Sequence, residues 1–344
     1  MAKLLKFLVL WSIAWLAWNP VVTAQPEVAR VETEQQPVVD PAPGDLWVDP
    51  ALDMRFRYVP PGTFTMGSPL DEPGRIPWET QHEVTLTRGV WLGETEVTQA
   101  QWREVMNTNP SKFGACGDQC PVEFVNWFEA AAFANALSER AGFYRCYAVS
   151  GANGKKPGRG LTYESVERVV GCTGYRLPTE AEWERAARAG TSTALYAGDI
   201  TILGAHNAPA LDLIAWYGGN SGADYAQADD CSEWPAKQVA DSTTCGPQPV
   251  GGKEPNAWNL VDLLGNVWEW CEDHWNGGDY AAGATDPVAR EGSGRVIRGG
   301  SWYSLARNVR SAVRDGDGPA VRDSYVGFRL ARDHQPAGSE SIDD

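Results

Sequence analysis

Residues 191–260 restrict the fold of this chain more than any other stretch. They show neither the alternation of a strand nor the 3.6-residue spacing of a helix. So long an irregular run inside a folded body needs extra fastening or carries function. The chain has material for the fastening, with 16 Trp and 36 Gly among 344 residues. Both counts point to a loop-rich fold held by aromatic anchors.

Regular structure is signposted elsewhere. Thr98 with Gln101 and Thr179 with Glu182 form capping boxes, and Asn126 can cap a third helix. The expected helices begin at Gln99, run from Trp127 to Arg140 before Gly142, and run from Glu180 to Arg188, with Gly190 as the stop. Short strands are expected at 64–66, 83–87, 90–92, 295–298 and 326–330. There is no internal repeat.

Charge narrows the partners. The 45 acidic against 29 basic side chains give a net charge of −16, against nucleic acid and anionic membranes, which need a basic face. Lys3 and Lys6, the apolar run Leu4–Trp18 and Val22-Thr23-Ala24 read as a cleaved secretory signal over residues 1–24. The alternative, a membrane anchor, is disfavoured because the apolar run is shorter than the roughly 20 residues of a spanning helix. A Pro/Glu/Gln-rich tether over 25–45, one domain over 46–333 and a polar tail over 334–344 complete the organisation. The mature protein would be secreted or periplasmic and not transmembrane.

Export gives the seven cysteines a disulfide reading. Local pairs are expected at Cys116–Cys120, Cys146–Cys172 and Cys231–Cys245, leaving Cys271 unpaired, although spacing alone cannot fix connectivity. Zinc is the competing use, but Cys116 and Cys120 have no second pair and no nearby His.

Six motifs in a fixed order carry a resemblance: Phe64-Thr-Met-Gly-Ser-Pro69, Gly93-Glu-Thr-Glu-Val-Thr98, Gly174-Tyr-Arg-Leu-Pro-Thr-Glu-Ala-Glu-Trp-Glu184, Gly265-Asn-Val-Trp-Glu-Trp270, Arg298-Gly-Gly-Ser-Trp302 and Gly327-Phe-Arg-Leu330. Together they resemble the formylglycine-generating-enzyme, or sulfatase-modifying-factor, family over nearly all of 53–332. The resemblance implies an irregular α+β, C-type lectin-like fold. Fold does not fix activity. Oxidases of that family convert a sulfatase Cys to formylglycine and hold copper(I) with two Cys after the Gly-Gly-Ser word, as soft thiolates suit that ion. This chain has no Cys beyond Cys271, so copper is not expected. A sulfur-transferring branch uses a His-x-x-x-His-x-Glu iron site, which the four scattered His cannot form. A third branch oxidises siderophore precursors in the periplasm without the copper Cys pair.

The resemblance also implies a structural calcium, held by Asp262, Gly265, Val267 and Glu269 through carboxylates and backbone carbonyls. The alternative is that Glu269 only pairs with backbone or Arg. Trp91, Trp102, Trp127, Trp183, Trp268 and Trp270 are read as core, whereas Trp302 is a candidate for stacking on a ligand.

Residues 295–332 carry eight Arg and three Asp, a net +5 within an acidic chain. The Arg within the fixed words are expected to fasten loops to buried carboxylates. Between them lie Tyr303, Ser304, Leu305, Val313, Asp315, Asp317, Val321, Asp323, Ser324 and Tyr325. This mixture resembles the ligand-facing segment of lectin-fold proteins diversified by retroelements, and it suits a paratope, with rigid Tyr beside adaptable Ser, Asp and Gly. With Trp302 these residues form the expected ligand surface. The function expected is an exported lectin-like module that binds an extracytoplasmic protein or small molecule. The alternative is a periplasmic oxidase or maturation enzyme acting on a sulfatase-type peptide or a siderophore precursor.

Overall fold

A computed structural model describes residues 40–234, 242–278 and 284–335. The leader over 1–24, most of the tether and nearly all of the tail lie outside the described residues. Gly44 and Asp45, at the tether's end by sequence, already exchange backbone hydrogen bonds with Tyr58.

All three helices form where their caps place them. They are α1 (Gln99–Met106), α2 (Trp127–Arg140) and α3 (Glu180–Arg188), and each opens on a complete capping box. One detail differs: the left-handed residue that ends α3 is Ala189, with Gly190 following it.

The strands of the frame are β1 (Leu46–Val48), β2 (Arg55–Val59), β3 (Gly62–Met66), β4 (His82–Leu86), β5 (Val90–Gly93), β6 (Tyr175–Arg176), β7 (Trp268–Trp275), β8 (Gly294–Arg298), β9 (Arg314–Asp317), β10 (Val326–Gly327) and β11 (Ala331–Asp333). One sheet has the order β1-β2-β5-β11-β6 and a second the order β9-β8-β7-β10. The single strand expected over 326–330 is instead two. β10 pairs parallel with β7, and β11 crosses to the other sheet against β5 and β6. Phe328 and Leu330, in between, accept backbone bonds from Val97 and Gly93 and so link the two sheets. Within 191–260 the described regular structure is one short 3₁₀ turn (Pro209–Leu211) and the two-residue pairing of Asp229–Asp230 with Thr244–Cys245.

The core is aromatic, as composition requires. Trp102 stacks on Phe133 at 5.5 Å between α1 and α2, and both meet Phe328. Trp91, Trp102, Trp127, Trp183, Trp268 and Trp270 are all buried. Two expected disulfides form, Cys116–Cys120 and Cys146–Cys172. Cys231 and Cys245, the third expected pair, are both buried in one cluster around Phe113, Val267 and Trp302. Cys271 is fully buried and unbridged, as expected.

Buried arginines join these parts. Arg298 on β8 donates to Glu184 of α3 at 2.5 Å and to the Ser311 carbonyl at 2.9 Å. Arg314 on β9 grips both oxygens of Glu180 on α3, at 2.6 and 2.5 Å. Arg310 bridges Glu72 and Glu79, which fixes the loop between β3 and β4 to the C-terminal segment. The structural reading of these Arg therefore holds. Removing one side of such a pair strands a buried charge. Arg298→Ala is accordingly expected to cost about 3–5 kcal/mol, and Arg298→Lys to recover little because it lacks the fork. Urea denaturation of both variants checks this.

Candidate functional site

The conformation of the segment after Arg298 is set by its backbone. Gly300 has φ +80°, and a Cβ there would lie 2.6 Å from the Asn308 carbonyl, so only glycine allows the chain to fold back. The turn that follows is fastened at several points. Ser301 N–H donates to Ser304 Oγ, Trp302 N–H to the Asn266 carbonyl and Gly218 N–H to the Ser304 carbonyl. The irregular region thus supplies the anchor for this loop.

Opposite the turn lies β9. Its side chains alternate, so Arg314 turns inward to Glu180 while Asp315 is exposed. The strand lies flush on Trp275, since a Cβ at Gly316 would fall 1.9 Å from that ring. Between turn and strand opens a cavity of about 430 Å³.

Six residues of the expected ligand surface line this cavity: Tyr303, Ser304, Leu305, Asp315, Asp317 and Tyr325. The other five do not. Trp302 is fully buried, edge-on to Phe113 at 5.2 Å, with its indole N–H on the Ser324 carbonyl, so it backs the wall and offers no exposed stacking face. Val313 belongs to the core. Val321 sits in a turn closed on Gly318, outside the cavity. Asp323 holds the Phe124 amide through its carbonyl and the Tyr325 hydroxyl through its side chain. Ser324 contributes its carbonyl to Trp302.

Sequence reasoning missed the rest of the aromatic side. His206 stacks on Trp234 at 5.0 Å, and Trp234 meets Tyr303 edge-on at 5.0 Å. Tyr303 in turn stacks on Tyr325, with centroids 6.1 Å apart. Asn308 also lines the cavity. No periodicity marks His206 or Trp234, because both lie in the aperiodic region. Burial, the Asp323 bond and the nearby Asp315 and Asp317 charges raise the Tyr325 hydroxyl well above the ordinary tyrosine range. Although its side chain reaches solvent, partial desolvation and the Asp317 charge raise the Asp315 carboxyl.

The expected calcium residues lie elsewhere, beneath α3. Both Glu269 oxygens accept from Arg329 at 2.7 Å, and one also accepts from Trp183. Asp262 accepts the Gly251 amide at 2.6 Å through one oxygen, while its other oxygen is buried without a hydrogen-bond partner. Glu96, which sequence reasoning did not single out, is buried beside them with neither carboxylate oxygen bonded. Burial, together with the Asp262 and Glu269 charges, raises Glu96 well above the carboxylate range, and Asp262 rises to about 6, chiefly by burial. Gly265 has φ +85° and passes so close to Trp216 that a Cβ would lie 2.2 Å from its carbonyl oxygen. Among the described residues no three His, Cys, Asp or Glu side chains converge at metal distance, so a cation here would also need the backbone carbonyls of Gly265 and Val267.

A profile described as "Sulfatase-modifying factor enzyme 1-like domain" matches residues 54–334. The chain is 34% identical to a Paenibacillus barcinonensis protein named chaperone protein LppX, over 62% of this chain and 69% of that one. It is 29% identical to the formylglycine-generating enzyme of Streptomyces coelicolor, over 80% of this chain and 88% of that enzyme. Among solved structures, Treponema denticola variable protein 1 superposes with a TM-score of 0.63 at 31% identity, covering 84% of this chain and 98% of its own.

The cavity's rear wall is titratable. The Phe113 amide, behind Trp302, donates to Glu123 at 2.8 Å. Burial raises the Glu123 carboxyl to about 8, so the folded protein holds a proton there that the unfolded chain releases near 4.5. The stability linked to this group is therefore complete below about 4.5 and declines as pH rises to about 8. Glu123→Gln should gain stability over wild type from mildly acidic to mildly alkaline pH, as urea midpoints across that window would show.

Proposed function

The chain belongs to the sulfatase-modifying-factor family, and on that premise we propose that it is an exported, non-oxidase member whose cavity captures a protein or small-molecule ligand. The observation that carries this reading is the convergence of Tyr303, Ser304, Leu305, Asp315, Asp317 and Tyr325 on one open cavity. No thiol lies among the described lining residues, so the soft-ligand pair that family oxidases use for copper(I) has no counterpart there. Cys271 does not substitute. It is fully buried, and burial together with the Glu180 and Asp273 charges pushes its thiol away from the thiolate a metal needs.

Diversification of 302–325 is part of the proposal, and the similarity to a protein named a variable protein supports it. The frame of β8, β9 and the Arg forks does not rest on the exposed side chains of Tyr303 and Asp315, so change at those two positions would leave it intact. The apolar N-terminal run supports export. Among the described residues no helix is long and apolar enough to cross a membrane.

Supplied with copper and a Cys-containing sulfatase peptide, the purified protein is expected to leave the thiol unchanged. Appearance of an aldehyde, trapped as a hydrazone and seen by mass, would overturn the non-oxidase reading.

A structural calcium at Asp262 and Glu269 is the second element of the proposal. The unbonded oxygens of Asp262 and Glu96 support it, because buried carboxylates without a partner are costly and a hard cation would satisfy them. Millimolar calcium should raise the melting temperature of wild type but not of Asp262→Ala. An equal response in both proteins counts against this site.

A further inference from the structure

The lining of the cavity states which ligand chemistry it accepts. This step rests on the cavity being the binding site and asks what charge and shape it selects. One side is a continuous aromatic surface of Trp234, Tyr303 and Tyr325, in edge and stacked contact. The facing strand presents Asp315 and Asp317. Among the described lining residues there is no Lys or Arg.

Two arginines of the neighbouring strands are committed elsewhere. Arg314 is locked on Glu180. Arg295, opposite Asp317 in the sheet, lies over the Trp127 ring at 3.7 Å and donates to the Glu272 carbonyl. Among the described residues no Lys or Arg therefore forms an ion pair with Asp315 or Asp317. Their charge reaches the Tyr325 hydroxyl, which is bonded to Asp323 and raised by all three aspartates. Asp315 and Asp317 each hold one oxygen by a backbone amide, of Gly316 and Gly318, and so are fixed in place.

Aromatic faces attract cations through their quadrupole, most strongly when partly desolvated, and carboxylates add direct Coulomb attraction. An anion would meet two fixed like charges, and a neutral apolar group would leave both carboxylates desolvated without compensation. We propose that this cavity binds an alkyl-ammonium or guanidinium group, seated between the Tyr303–Tyr325–Trp234 wall and the Asp315/Asp317 strand. Its source is either a free amine or a Lys or Arg side chain on a polypeptide.

Tryptophan fluorescence and calorimetric titration test the inference on the folded protein. The probes are agmatine, a capped Gly-Lys-Gly peptide, its Arg counterpart, and the same peptide with norleucine or Glu at the centre. Agmatine and the Lys and Arg peptides should bind, and the norleucine and Glu peptides at least about tenfold more weakly. Agmatine binding better than the peptides identifies a free amine as the source, and the reverse order identifies a side chain. Added salt should weaken binding. Asp315→Asn with Asp317→Asn should lose about tenfold or more in affinity for the cations, with an unchanged melting temperature. Tyr325→Phe should retain binding and Tyr325→Leu lose it, because the ring face and not the hydroxyl makes the contact.

The inference fails if the norleucine or Glu peptide binds as well as the Lys peptide, or if the double Asn variant binds like wild type. It also fails if no cationic probe binds at millimolar concentration. Neutral or anionic binding that Tyr303→Ala abolishes would leave the cavity a binding site with a different ligand class. Aldehyde formation would instead remove the non-oxidase reading and leave the charge preference standing.

Discussion

The structure depends on charge buried in pairs. Arg298, Arg310 and Arg329 are fully buried, and each guanidinium is matched by carboxylates and carbonyls of distant segments. Helix α3 is the hub: Glu180 takes Arg314, Glu182 takes Arg176, and Glu184 takes Arg188 and Arg298. A forked donor spans two or three chain segments at once, which a single apolar contact cannot do. That is what a fold with short strands and long loops requires. Such pairs are weak evidence for net stability, because burial cost opposes the Coulomb gain, but they fix which loops meet.

The same economy shapes the cavity. Every arginine committed to the frame is withdrawn from the surface that Asp315 and Asp317 face. The alternation of β9 divides the two roles within four residues, with Arg314 holding α3 and the aspartates facing outward. Trp302 plays a comparable part in the aromatic wall, since it is buried against Phe113 and supports Tyr303 at 5.4 Å. The short turn and strand that carry the lining thus stand on a frame held by buried Arg pairs.

Much of this was legible in the sequence. Capping boxes are local, so α1 to α3 were readable from residues three apart, and the six motifs identified the fold. The ligand segment was legible as a pattern of Tyr, Ser, Asp and Leu between fixed words. The pattern could not separate Val313 and Trp302, which face inward, from Tyr303 and Asp315, which face the cavity, because facing depends on what packs behind each residue. His206 and Trp234 left no readable trace, and Glu96 showed only as one letter of the Gly93–Thr98 word, since each matters through partners far away in the chain.

The sequence by itself determined the three helices, the aromatic character of the core, the family and the absence of a thiol pair after Gly-Gly-Ser. The helices rest on local spacing, the core on composition, and the family on the resemblance of six motifs in order. Only the tertiary structure decided that residues 326–333 divide between two sheets, which carboxylate each arginine meets, and that aromatic rings from the irregular region line one cavity with the aspartates of β9. Those outcomes depend on long-range pairing, where burial leaves a charge or a ring few places with a matching partner.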